Sequence, residues 1–223
     1  MHLRTAAAVL LLAATLTGCE AFLGESEGPP LPGKRISVLT LNSTLVPDPE
    51  LAELSVMLPP PYVNADWPQA GGLTSHAMHH LQAPDSLNKA WSSDVGEGGG
   101  GERFLLAQPI VAGGRIFTMD AGATISALDT SSGQEVWRVD LTPDDEDDGY
   151  FGGGLAYDEG RIIATTMFGI VYGLDAASGA ELWREQIPVP MRAPPAVSGG
   201  RVFAITLDNQ LITLAAEDGR RLW

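Results

Sequence analysis

From residue 107 to its end the chain alternates apolar and polar positions in short runs, cut at regular intervals by glycine, serine and aspartate. In the first such stretch Phe117 and Met119 flank Thr118, and Ile125 and Ala127 keep the same period of two, which puts successive side chains on opposite faces of a strand. Gly113-Gly114, Ala121-Gly122 and Ser131-Ser132-Gly133 break the runs with residues that tolerate positive φ or bond their own backbone. The pattern predicts strands over 109–112, 115–120, 124–129 and 135–141, joined by tight turns into one antiparallel sheet.

The same unit returns twice. Gly114-Arg115-Ile116-Phe117, Ala127-Leu128-Asp129, Gly133 and Trp137 are matched by Gly160-Arg161-Ile162-Ile163, Gly173-Leu174-Asp175, Gly179 and Trp183. A third copy follows in Gly200-Arg201-Val202-Phe203, Thr213-Leu214-Ala215, Gly219 and Trp223. The interval from leading glycine to second glycine is the same in every copy, and so is the interval from leading glycine to tryptophan. The copies are placed over 107–141, 153–187 and 194–223. The step from Gly114 to Gly160 exceeds that from Gly160 to Gly200 by six positions, and the excess lies outside the unit, in the link around 144–149. A sheet of this kind is apolar on both faces and must stack on its neighbours, and radial stacking gives an all-β propeller of four-stranded antiparallel blades. The periodic tryptophans and glycines are therefore read as structural, each tryptophan packing between neighbouring sheets.

The N-terminus is of another kind. Met1 to Arg4 carries one positive charge, and 6–16 is small and apolar apart from Thr15, which predicts a signal peptide over 1–18 too short to span a bilayer comfortably. Leu16-Thr17-Gly18-Cys19 fits the bacterial lipobox, in which the cysteine thiol is acylated and becomes the new N-terminus. Cys19 is the only cysteine, so it has no internal disulfide partner. Two or three acyl chains on one residue satisfy the need for about two lipid signals for stable anchoring. Glu20 follows in place of the aspartate associated with inner-membrane retention, which favours the outer membrane. Residues 19–35, rich in glycine, proline and glutamate, are read as a lipidated tether, and 36–87 as an irregular arm whose proline run over 58–62 excludes helix.

Composition narrows the partners. The net charge is −15 with a pI near 4.4, and loss of Arg4 with the leader makes the mature chain one unit more negative. Such a surface repels phosphate backbones and anionic headgroups, which disfavours nucleic acid and leaves the lipid anchor as the contact with membrane. With 44% hydrophobic and 18% charged residues the chain is globular in composition.

The unit Gly-Arg-aliphatic, Ala-Leu-Asp, Ser-Gly turn, Trp resembles the PQQ-type β-propeller repeat. Together with the lipobox, Ala90-Trp91-Ser92 and Asn64-Ala65-Asp66-Trp67-Pro68-Gln69-Ala70-Gly71-Gly72, it makes the chain resemble the BamB family, lipoproteins of the outer-membrane β-barrel assembly machinery, from about residue 64 onward. The resemblance implies an eight-bladed propeller, of which 88–223 would hold about three blades plus a ring-closing strand over 88–96 bearing Trp91. Three blades do not close a ring, so the expectation is an N-terminal part of a longer protein. It further implies a lipid-anchored, non-enzymatic scaffold on the periplasmic face of the outer membrane, with BamA-like subunits and unfolded outer-membrane proteins as partners.

Other chemistry fares less well. A periplasmic quinoprotein dehydrogenase dependent on PQQ and calcium is the alternative the repeat suggests, but that class covers its cofactor with adjacent cysteines and Cys19 stands alone; no cofactor is expected. His76, His79 and His80 have helical spacing without a matching carboxylate and read as a solvated loop, so no metal site is assigned. Asp144, Glu146, Asp148 and Gly149 match the start of a calcium loop, yet Leu155 occupies the position of its bidentate glutamate. Gly98 to Gly101 is flanked by Glu97 and Glu102 with no lysine following, and reads as a hairpin. No catalytic residue is assigned. The expected interaction loop is Asp144, Asp145, Glu146, Asp147 and Asp148. A lipoprotein that senses cell-envelope polymers stays open as a third class.

Overall fold

Turn residues set the strand limits. β1 (Ile110–Ala112), β2 (Arg115–Met119), β3 (Thr124–Asp129) and β4 (Glu135–Asp140) form an antiparallel sheet in that order. β5 (Gly153–Asp158), β6 (Arg161–Thr166), β7 (Ile170–Asp175) and β8 (Glu181–Gln186) form a second sheet of the same topology. β9 (Ala196–Ser198), β10 (Arg201–Ile205) and β11 (Leu211–Ala215) form a third, to which Arg221 adds an isolated bridge with Leu214. This computed structural model describes residues 33, 48–51, 54–100, 104–146 and 152–223. The signal segment 1–18, Cys19, and Asp147 and Asp148 lie outside the described residues, as does all of the tether 19–35 except Gly33.

The expected strands differ from the observed ones at three ends. Pro109 has no N–H for the ladder, so β1 starts at Ile110. Asp120 leaves β2 because its carboxylate closes the following turn, accepting the N–H groups of Gly122 at 2.9 Å and Thr124 at 2.8 Å. Leu141 leaves β4 to bury itself beneath the link.

Two compact units divide the chain, Met1–Val56 and Met57–Trp223. In the first, a 3-10 turn over Pro49–Leu51 is opened by Asp48, whose carboxylate accepts the Glu50 N–H at 2.9 Å. The arm expected over 36–87 is therefore not one piece, since residues from Met57 onward belong with the sheets. Backbone pairing explains why. Trp67 exchanges hydrogen bonds with Val111 of β1 at 2.6 and 2.9 Å, Tyr157 of β5 donates to the Pro68 carbonyl at 2.7 Å, and the Gln69 side-chain oxygen accepts the Val197 N–H of β9 at 3.0 Å. Residues 67–69 thus lace the first strands of all three sheets and satisfy edge groups that would otherwise be unpaired.

Apolar faces meet in two layers. Ile110, Phe117 and Ile125 of the first sheet pack with Leu155, Ile162 and Leu174 of the second. Ile163, Val171 and Trp183 of the second pack with Val202, Ile212 and Leu214 of the third. Arg115 spans the first layer to donate from one nitrogen to the carbonyls of Ala176 at 2.6 Å and Ala177 at 2.8 Å.

A tryptophan and a glycine recur at every junction. Trp137 lies on Gly179 and Trp183 on Gly219, each glycine having φ near +75°, and the indole N–H donates to the carbonyl just past the third strand, Ala176 or Ala216, at 3.1 Å. Trp91 makes the same contact one step earlier, on Gly133, donating to the Thr130 carbonyl at 2.9 Å. The stretch expected to close the ring, 88–96, makes no strand ladder among the described residues, and docks through this indole and through the Ser93 hydroxyl, which donates to the Gly133 carbonyl.

Asp120 breaks the repeat where this stretch attaches. Its counterparts are Thr166 and Thr206, whose hydroxyls close their own turns by accepting the Ile170 and Gln210 N–H groups. The carboxylate does this with one oxygen and with the other accepts the Glu97 N–H at 2.9 Å.

Two outcomes test these contacts. Gly179→Ala pushes a methyl into the Trp137 ring, whereas Gly160, with φ +84, faces open space. Both substitutions carry a left-handed cost of about 1–2 kcal/mol; Gly179→Ala is expected to exceed Gly160→Ala by at least about 1 kcal/mol of overpacking in urea unfolding. Asp120→Thr is expected to keep the bond from the Thr124 N–H, as Thr166 and Thr206 do in their own turns, and to lose those from Gly122 and Glu97, the latter a bond to a charged acceptor of about 1.5–3 kcal/mol. Hydrogen exchange at the Glu97 amide should accelerate about tenfold or more while that at Thr124 holds.

Candidate interaction site

From Trp137 of β4 to Gly160 after β5 the chain is six residues longer than from Trp183 to Gly200. Asp140 caps the start of this link by accepting the Thr142 N–H at 2.9 Å, and the Thr142 hydroxyl donates to the Gly122 carbonyl at 3.1 Å. Pro143 then opens a turn closed by the Glu146 N–H, which leaves Asp144, Asp145 and Glu146 exposed.

A cleft lies on each side of that turn. One, of about 220 Å³, is lined by Leu141, Pro143, Asp144, Tyr172, Glu181 and Arg184. The other, of about 210 Å³, is lined by Glu146, Met167, Phe168, Gln186, Ile187 and Pro188 among others. The turn is therefore an acidic ridge between two partly apolar hollows.

Tyr172 forms the floor of the first cleft. It is buried, its hydroxyl donates to the Leu141 carbonyl at 3.3 Å, and Arg184 lies over its ring at 5.9 Å from the centroid. Burial pushes the phenol above its ordinary value, with the Arg184 charge acting in the opposite direction. Arg184 is exposed and paired with Glu181 at 2.8 Å, and its own pKa is raised chiefly by that hydrogen bond. An exposed pair of this kind contributes little to stability, so its charges are available for recognition at small structural cost.

The ridge holds three of the five acidic residues expected to form the interaction loop, Asp144, Asp145 and Glu146, within the described structure. Tyr172 was not singled out from sequence, although a signal existed. Its register mates in the other copies are Ser126 and Ile212, so it departs from the repeat opposite Arg184. His76 and His79 lie in a loop with φ of 53° and 48°, and His80 donates from Nδ1 to the Pro59 carbonyl at 2.7 Å. Among the described residues no three His, Cys, Asp or Glu side chains gather as metal ligands.

Stacked antiparallel sheets with one tryptophan-glycine contact per junction define a β-propeller of the PQQ type. Solved structures bear out the fold: quinohemoprotein alcohol dehydrogenase ADHIIG of Pseudomonas putida HK5 superposes with a TM-score of 0.61 over 71% of this chain and 26% of its own, at 21% identity. The corresponding enzyme of Comamonas testosteroni gives 0.59 over 71% and 27%, at 22% identity. At these identities the likeness is one of fold alone.

Residues 81–146 and 121–223 match the family described as outer membrane protein assembly factor BamB, and the chain belongs to that family. Relatives bearing that name include those of Burkholderia pseudomallei, 27% identical over 137 residues (61% of this chain, 33% of the relative), and Nitrosomonas eutropha, 29% identical over 143 residues (64% and 32%). The chain spans about a third of the length of these curated relatives.

The Tyr172 environment gives a pH test. A folded-state phenol pKa above the unfolded value means its contribution to stability is complete below the ordinary tyrosine pKa of about 10 and is lost as pH rises through the higher folded value. Ultraviolet difference titration against Tyr172→Phe should show this late phenol. Arg184→Ala should move it later still, because it removes the charge that favours phenolate.

Proposed function

We propose that this chain forms a rigid, non-enzymatic docking sector in the assembly of β-barrel proteins into the outer membrane. Membership in the assembly-factor family is the observation that carries the reading. In support, the residues common to the three copies serve sheet stacking, and the longest departure from periodicity is the link after β4, where Asp144, Asp145 and Glu146 stand between two clefts. A rigid body with a variable loop is the arrangement expected of a platform that positions other proteins.

The partner in this proposal is a BamA-like barrel subunit, with unfolded outer-membrane proteins as passing clients. The chain works at the periplasmic face of the outer membrane, held by acyl chains on Cys19. The acidic ridge meets a basic surface of the partner, and the hollows beside it receive apolar side chains.

The lipidated full-length protein is expected to co-purify with the barrel subunit from detergent-solubilised membranes. Deleting 144–149 should weaken that association by about tenfold or more, equivalent to about 1.4 kcal/mol, with the unfolding midpoint unchanged. Unaltered recovery of the barrel subunit by the deletion variant would show that the ridge is passive, and no recovery by the parent protein would overturn the assembly role. Mass spectrometry of the mature N-terminus checks the acylation of Cys19.

A further inference from the structure

Residues 57–63, Met-Leu-Pro-Pro-Pro-Tyr-Val, precede the stretch that matches the assembly-factor family, which begins at residue 81. Three consecutive prolines hold φ near −65° and bias the residue before each toward an extended backbone, which favours a polyproline II ridge over this run. Water surrounds it: Met57 is 91% exposed, Leu58 67% and Val63 75%, and all three prolines are exposed.

The ridge is nonetheless fixed in place. Tyr62 donates its N–H to the His80 carbonyl at 3.1 Å and accepts the Gln82 N–H at 2.8 Å, forming a parallel bridge with Leu81. Its hydroxyl donates to the Met78 carbonyl at 3.1 Å, and His80 Nδ1 donates to the Pro59 carbonyl at 2.7 Å. These bonds use the backbone and the phenol tip, and leave the prolines and aliphatic side chains facing solvent. Much of the ordering cost that a flexible proline-rich ligand loses on binding is therefore already met.

We propose that residues 57–63 are a docking ligand for a partner protein with a shallow, aromatic-lined groove and a basic rim. The groove chemistry follows from the ridge. Aromatic faces pack against proline rings, and the preformed helix presents its residues without folding on contact. The rim follows from charge: residues 54–65 contain no charged side chain, Glu53 and Asp66 flank them, and the whole chain carries −15. The same acidity and the absence of lysine or arginine from 54–65 disfavour an anionic bilayer or a second copy of this chain as the occupant. This inference is independent of the assembly role, because it concerns another segment and a groove-bearing partner that need not be the barrel subunit.

The test uses the full-length lipidated protein in its own envelope, with the photo-crosslinker p-benzoylphenylalanine placed at Leu58, at Val63 or, as a control more exposed than either, at Leu87 (87% exposed). One protein should be captured from positions 58 and 63 and not from 87, with the adduct mapping to a peptide containing aromatic residues. Capture should fall about tenfold or more in Pro60→Ala/Pro61→Ala, and likewise when a synthetic peptide of residues 57–63 is added in excess. Val63→Glu, read from the crosslinker at 58, should give the same loss with every proline retained, and unfolding midpoints confirm that each variant is folded. Adducts to lipid or to a second copy, labelling no stronger than at Leu87, or capture that survives the proline substitutions would each overturn the proposal.

Discussion

An indole ring lying flat on a left-handed glycine is the contact from which the stacking of these sheets follows. It constrains three quantities together. The missing Cβ sets how closely the sheets approach, since a methyl on Gly179 would stand 2.7 Å from the Trp137 ring and one on Gly219 2.4 Å from Trp183. The indole N–H, aimed at the carbonyl after β3, β7 or β11, sets their relative rotation. The turn that supplies the glycine needs its positive φ, so the residue that admits the ring also ends the strand. Buried apolar faces supply most of the driving force, but apolar burial is non-directional; the tryptophan-glycine contact selects one arrangement among those it allows.

That division leaves the links between sheets free to vary. The junctions contact one another through strands and turns of constant spacing, so six additional residues after β4 change no stacking contact. A loop that costs the core nothing can take on recognition chemistry, and its charge is confined to an exposed ridge whose neighbours, Arg184 and Glu181, are themselves solvated. Membership in an outer-membrane assembly family fits a body of this design, whose shape is held by the repeats and whose surface differs from link to link.

Periodicity made most of the fold legible. Strand positions, turn glycines and the inter-sheet role of the tryptophans follow from one spacing, kept from Gly114 to Trp137, from Gly160 to Trp183 and from Gly200 to Trp223, that local chemistry explains. Departures from the repeat were harder to read. Asp120 stands where Thr166 and Thr206 stand, and a carboxylate in a turn is commonplace until its second oxygen is seen to accept the Glu97 N–H. Tyr172 looks like an ordinary strand residue until its hydroxyl is found on the Leu141 carbonyl, across a sheet junction. The arm ahead of the repeats was illegible for a related reason. Trp67, Pro68 and Gln69 form no element of their own, and their hydrogen bonds go to Val111, Tyr157 and Val197, on three strands far along the chain.

The amino-acid sequence alone determined that the chain folds as stacked antiparallel sheets, because strand period, turn propensity and repeat spacing are properties of neighbouring residues. Only the tertiary structure decided that 67–69 lace the sheets together, that Trp91 docks on Gly133 ahead of the first repeat, and that the acidic turn rises between two clefts. Each of those depends on donors and acceptors brought together across long stretches of chain. Such pairings are set by which buried groups remain to be satisfied once the sheets have stacked, and local sequence pattern carries no record of them.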